Sequence, residues 1–173
     1  ASLPVMKRTT AIAHMTYLII LTRPEALLSA TLPPATLHKH LNNAVFALNS
    51  ARAEKVSLIG ETITTYQQIF SKAAIHPDEL PFIGPKTLTT LKQYAYASRQ
   101  TAIQAALLLS QSLRDCIHIV AEQEGLRVPT TFASLKAAMK RTVAFRDLIT
   151  FALSTQAQSR FDQIFSTGDN SRQ

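Results

Sequence analysis

Arg114, Asp115, Cys116, Ile117 and His118 follow one another in the chain and set a guanidinium and an imidazole four positions apart. On an α-helix that spacing puts both side chains on one face. An arginine there can hold a phosphate oxygen while the histidine takes or gives a proton. The same two residues also serve as ordinary surface groups, with Arg114 paired to a carboxylate and His118 partly buried. Nothing else in the chain has the pattern of an active centre. There is no phosphate-cradling glycine loop, no Gly-x-Ser-x-Gly elbow and no two-cysteine motif. Glu122 and Glu124 sit beside a helix end and read as surface charges. We therefore expect a non-enzymatic protein with no catalytic residue.

The distribution of charge is more informative. No Asp or Glu occurs between Leu80 and Leu113, while Lys86, Lys92, Arg99 and then Arg114 are basic. Lys92 and Arg99 are seven apart, two helical turns, and share nearly one face. Further on, Lys136, Lys140, Arg141 and Arg146 precede Asp147, again without an intervening acid. If the two stretches form an antiparallel hairpin, these eight residues make a basic strip suited to phosphate backbones, which need no base-specific chemistry. The plain alternative is a solvated face that keeps the protein in solution. Tyr94 and Tyr96 flank the basic run and can stack on bases, but they serve equally well at the edge of a core.

Metal chemistry is not expected. His38 and His40 are two apart, on different sides of a helix, and Cys116 and His118 share that defect. No cofactor is implied.

Arg114-Asp115-Cys116-Ile117-His118 resembles the Arg and His pair carried on a long helix by ribonucleases of the HEPN class, although the pair is closer together here. That resemblance implies an RNA-cleaving helical bundle in which His118 acts as acid and base and Arg114 holds the phosphate.

Composition sets the wider frame. The 173 residues fit a single domain with a sizeable core, and an apolar share of 46% is that of a folded protein. Four glycines are too few for a turn-dense β fold. Charged residues make up only 17%, the polar positions being filled by Thr, Ser, Gln and Asn. Such a surface is cheaper to bury against a neighbour than a Lys/Glu face, which suggests a subunit that assembles. The formal charge of +7 favours a polyanionic partner. One cysteine excludes an intramolecular disulfide within the chain, and a cytoplasmic or virion setting needs no further assumption. The apolar stretch from Ala11 to Leu21 is shorter than the roughly 20 residues of a membrane span. Arg23-Pro24-Glu25 stands where a signal peptide would need small residues.

These side chains must be positioned by helices. The pattern predicts an all-α fold, a bundle of three long antiparallel helices plus a shorter N-terminal helix. Residues 1–34 are read as an arm with short helices, 35–166 as the long-helix bundle and 167–173 as a polar tail. The first helix runs from about Thr9 to Thr22 and stops at Arg23-Pro24. Leu37, Leu41, Val45, Leu48, Ile59, Ile63, Tyr66 and Phe70 give the first long helix one apolar face. That helix is interrupted at Gly60 and ends before the turn His76 to Pro81. Leu88, Leu91, Ala95, Ser98, Ala102, Ala105, Leu109, Leu113, Cys116 and Val120 form an unbroken seam from Gly84-Pro85 to a terminating Gly125. A third helix spans Thr131 to Phe165 with Leu135, Met139, Thr142, Ile149, Leu153, Phe161 and Phe165 inward.

The expected function is that of a self-assembling structural protein whose basic strip binds nucleic acid, such as a viral coat or nucleoprotein subunit. A helical adaptor for an acidic protein partner and a HEPN-like ribonuclease are the alternatives.

Overall fold

The computed structural model of the chain describes residues 5–49, 60–72 and 82–166. The expected N-terminal irregular residues, the stretch 50–59, the turn at 76–81 and the polar tail lie outside them. Among the described residues the protein is all-α, with no strand. Its helices are α1 (Val5–Leu21), α2 (Pro24–Thr31), α3 (Pro34–Leu48), α4 (Gly60–Lys72), α5 (Pro85–Ser110), α6 (Leu113–Gln123), α7 (Phe132–Arg141), α8 (Val143–Ala152) and α9 (Thr155–Ser166). They fall into two compact units, one drawn from Ala1–Arg23 and Ser98–Gln173, the other from Pro24–Ala97.

Prolines open three of these helices. Pro24, Pro34 and Pro85 each occupy the first helical position, where a missing N–H is no loss and the fixed φ already suits the helix. Before Pro85, the backbone N–H of Gly84 donates to Thr87 Oγ1 at 3.0 Å. That bond closes the N-terminal turn of α5.

In the second unit α3 packs on α4 and on α2. Val45 and Ile83 are buried together, with Leu41 and Leu48 half-buried against them. Gln67 Nε2 donates to the Ala47 carbonyl at 3.1 Å, and His40 Nδ1 lies 3.3 Å from the Tyr66 hydroxyl.

In the first unit α8 lies against α6, α7 and α9, and α1 lies against α6. The core is built on Phe145, Leu148, Ile103, Val120 and Cys116, all essentially without solvent contact. From α1 it receives Ala13, Tyr17 and Leu21, spaced by four and so on one face. Burial pushes the Tyr17 hydroxyl up to about 12, while the nearby Arg99 guanidinium acts in the opposite sense.

The two later long helices expected from the sequence are not continuous. The seam read from Gly84 to Gly125 breaks at Gln111-Ser112 into α5 and α6. Gln111 takes a left-handed φ of 54°. The buried Ser110 hydroxyl accepts the Ser112 N–H at 3.2 Å, and Ser112 Oγ accepts the Asp115 N–H at 3.3 Å as the N-cap of α6. Beyond the break Cys116 and Val120 are buried as expected, whereas in α5 Leu109, expected inward, is 47% exposed, and Leu107 and Leu108 are buried instead.

The last expected helix is three. Thr131 and Ser134 form a reciprocal capping box at the start of α7. Extended Thr142 ends α7 and begins α8, and Ser154 caps α9 by accepting the Ala157 N–H at 3.1 Å. Leu153, expected inward, is therefore 81% exposed, and Phe165 is half-exposed, while Phe145, Leu148 and Phe151 supply the core.

Gly125 is found as expected, past the end of α6 at φ 62°. The Gly125 N–H donates to the Glu122 carbonyl and the Leu126 N–H to that of Ala121. This is the Schellman arrangement, in which glycine carries the left-handed residue without Cβ strain.

Candidate functional site

All eight basic residues of the expected strip are exposed. Lys86 and Lys92 belong to the second unit, and Arg99, Arg114, Lys136, Lys140, Arg141 and Arg146 to the first. The helix breaks distribute them over four helices. Arg99 is on α5 and Arg114 on α6, while Lys136, Lys140 and Arg141 are on α7 and Arg146 is on α8.

Three clefts of the first unit share lining residues in succession. The first, about 400 Å³, lies between α1 and α6 and brings together Lys7, His14, Arg114 and His118 with Thr9, Thr10, Ser112 and Asp115. Arg114 and His118 also line the second, about 450 Å³, whose other wall is Val128, Pro129 and Thr130. Those three residues in turn line the third, about 580 Å³, which ends at Arg127 and Arg141. Among the described residues the cationic groups along this succession are Lys7, Arg114, Arg127 and Arg141, with two histidines, and the acidic lining is Asp115 alone.

Asp115 is engaged within the fold. Its Oδ1 accepts the Thr10 hydroxyl at 2.9 Å. Burial pulls its carboxyl upward, but hydrogen bonds from Ser112, Thr10 and Thr9 and the neighbouring His118 outweigh that and hold it below its ordinary value. The carboxylate is thus ionised and directed to the α1 threonines and the N-terminus of its own helix.

Cys116, between Arg114 and His118 in sequence, turns the other way. It is fully buried, its Sγ lies 4.0 Å from the Ile103 carbonyl, and burial pushes the thiol up to about 12. It therefore takes no part in the cleft.

Arg114, Arg141 and His118 stand out in the sequence by charge run or spacing, whereas Lys7, His14 and Arg127 do not. Lys7 and His14 are seven apart, the two-turn spacing that paired Lys92 with Arg99. What no spacing gives is that α1 packs on α6.

His38 and His40 lie on α3 in the second unit. Among the described residues no group of three or more His, Cys, Asp or Glu side chains is placed to hold a metal ion. No helix among them is long and apolar enough to cross a membrane. Fold and geometry define an all-α protein with a succession of cation-lined clefts. Compared with known proteins, the chain matches no family model, no curated protein and no solved structure.

Proposed function

We propose that this is a non-enzymatic, self-associating structural protein that binds nucleic acid through its phosphates, in the manner of a viral coat or nucleoprotein subunit. The observation that carries the reading is the succession of three clefts with Lys7, Arg114, Arg127 and Arg141 along it and a single, internally bonded carboxylate. Phosphate backbones are held by such dispersed cations, with counterions released as they bind. Exposed Lys136, Lys140 and Arg146 extend the positive surface along α7 and α8. Phe132, 82% exposed at the first position of α7, adds an aromatic face of the kind on which unpaired bases stack.

Self-association is supported by α1. Ile12, Met15, Leu18 and Ile19 are exposed along it at spacings of three, three and one. Opposite its buried Ala13, Tyr17 and Leu21 they form an apolar face suited to a second copy. Particle size by light scattering, with and without mixed nucleic acid at low and high salt, tests both parts. Large particles that form with nucleic acid and weaken with salt support the reading. A small particle indifferent to nucleic acid rejects it in favour of a helical adaptor for an acidic protein.

A second reading has one observation in its favour, that Arg114, His118 and His14 line one cleft. It is the ribonuclease, with His118 as acid and base. Cleavage of RNA by the wild type and its loss in a folded His118→Ala variant support it; an inert wild type ends it.

A further inference from the structure

The cleft between α1 and α6 differs from the rest of the basic surface because its charges converge. Lys7 and His14 come from one helix, Arg114 and His118 from another, and the hydroxyls of Thr9, Thr10 and Ser112 lie among them. Dispersed surface lysines meet a phosphate singly, whereas converging cations surround one and hold it with several charge-assisted bonds; the hydroxyls of Thr9, Thr10 and Ser112 are engaged by Asp115. The lone carboxylate, Asp115, is occupied by Thr10 at 2.9 Å, so it braces the two helices.

We propose that this cleft is a phosphate-binding subsite, taking one backbone phosphate of a nucleic acid strand between Lys7 and Arg114 and gripping it more tightly when His14 and His118 are protonated. It deepens the nucleic-acid reading and rests on it for the source of the phosphate; a small phosphorylated compound offers the same chemistry. With neutral imidazoles the cleft sets two cations against one carboxylate, and with both protonated four. Histidine is the side chain that ordinarily gains charge between about pH 8 and pH 5.

Of the other charged groups on the two helices, Arg8 of α1 and Glu122 of α6 do not line the cleft. The segment 128–130 facing His118 carries no titratable side chain. Arg146 and Asp147 of α8, which packs on α6, do not line the cleft. On α5, Arg99 acts on Tyr17.

Two probes separate the possibilities, both with the full chain. Pyrophosphate at fixed pH, followed by the imidazole NMR signals, reads the cleft itself. It is expected to move the His14 and His118 signals together, and Arg114→Gln is expected to weaken this binding about tenfold, the loss of one charge-assisted contact. A rhodamine-labelled single-stranded DNA 12-mer, whose diester charge is constant over this range, reads the strand by anisotropy at pH 8 and pH 6. Its affinity should rise severalfold on acidification, and the rise should vanish in the double variant His14→Asn, His118→Asn.

Pyrophosphate binding at the cleft with no binding of the 12-mer would keep the subsite, assign it to a small phosphorylated compound and remove the nucleic-acid reading. Binding of the 12-mer with the acid-dependent rise intact in the double variant, and pyrophosphate indifferent to Arg114→Gln, would overturn the subsite while that reading survives.

Discussion

The Thr10 hydroxyl donates to Asp115 Oδ1 at 2.9 Å across 105 positions of sequence. The bond joins α1 to the first turn of α6, the turn that carries Arg114. Because this carboxyl is held below its ordinary value, the stability it adds is present above about pH 4, the unfolded range for Asp, and is lost as pH falls through the folded value. Thr10→Val should lower stability near neutrality by about 0.5 to 1 kcal/mol, the bond being solvent-exposed. Urea melts of both proteins at pH 7 and at pH 2.5 check this; the gap should narrow as the pH is lowered.

Gln111 offers a test of the helix break whose sign decides the matter. In a continuous helix Gln111→Gly would cost about 1 kcal/mol. At φ 54° the glycine relieves left-handed strain, and the substitution should instead stabilise by roughly 0.5 to 1 kcal/mol. A thermal melt at neutral pH measures it.

Cys116 should be inert while the protein is folded. Its thiol is pushed up to about 12 by burial, as is the Tyr17 hydroxyl. Both raised values favour the neutral forms, so their contribution is complete below about pH 7.5, and an unfolded thiol is half ionised by about pH 8.5. The contribution declines as pH rises towards 12. A thiol reagent at pH 8 should modify Cys116 only in denaturant, and stability should fall progressively above about pH 7.5.

Phe145 anchors the first unit, with no exposed surface, on α8, the helix that lies against α6, α7 and α9. Phe145→Ala removes the largest fully buried side chain among the described residues and should cost about 3 to 5 kcal/mol. Chemical denaturation would show this, and a loss under 1 kcal/mol would mean that α8 is not packed as described.

The triple variant Lys136→Gln, Lys140→Gln, Arg141→Gln reads the wider basic surface. If all three neutralise phosphates of a single strand, the slope of log affinity against log salt should flatten by roughly two. Circular dichroism should be unchanged, since Lys136, Lys140 and Arg141 are exposed. An unaltered slope would remove α7 from the interface.

Local patterns were legible wherever one residue type forces one backbone outcome. The all-α class follows from apolar spacings of three and four with few glycines. The end of α1 at Arg23-Pro24, the proline starts of α2, α3 and α5, and the Gly125 terminus of α6 follow from what proline and glycine permit. Two further signals were present but unread. Ser112-Leu113-Arg114-Asp115 and Thr131-Phe132-Ala133-Ser134 have the side-chain spacing of helix N-caps. A break at Ser112 was thus written into a segment that contains neither glycine nor proline.

The remainder needed the tertiary structure. A helical seam counted by threes and fours keeps its phase only while the helix continues. One extended Thr142 was enough to turn Leu153 outward and leave the core of that stretch to Phe145 and Leu148. No local rule states which helix faces which. Lys7 and His14 stand beside Arg114 and His118 because Ala13, Tyr17 and Leu21 bury one face of α1 in the first unit, against α6. The sequence by itself determined that the protein is helical, cationic and poor in acidic residues. Burial of apolar faces, a non-local and non-directional force, decided which of those cations meet.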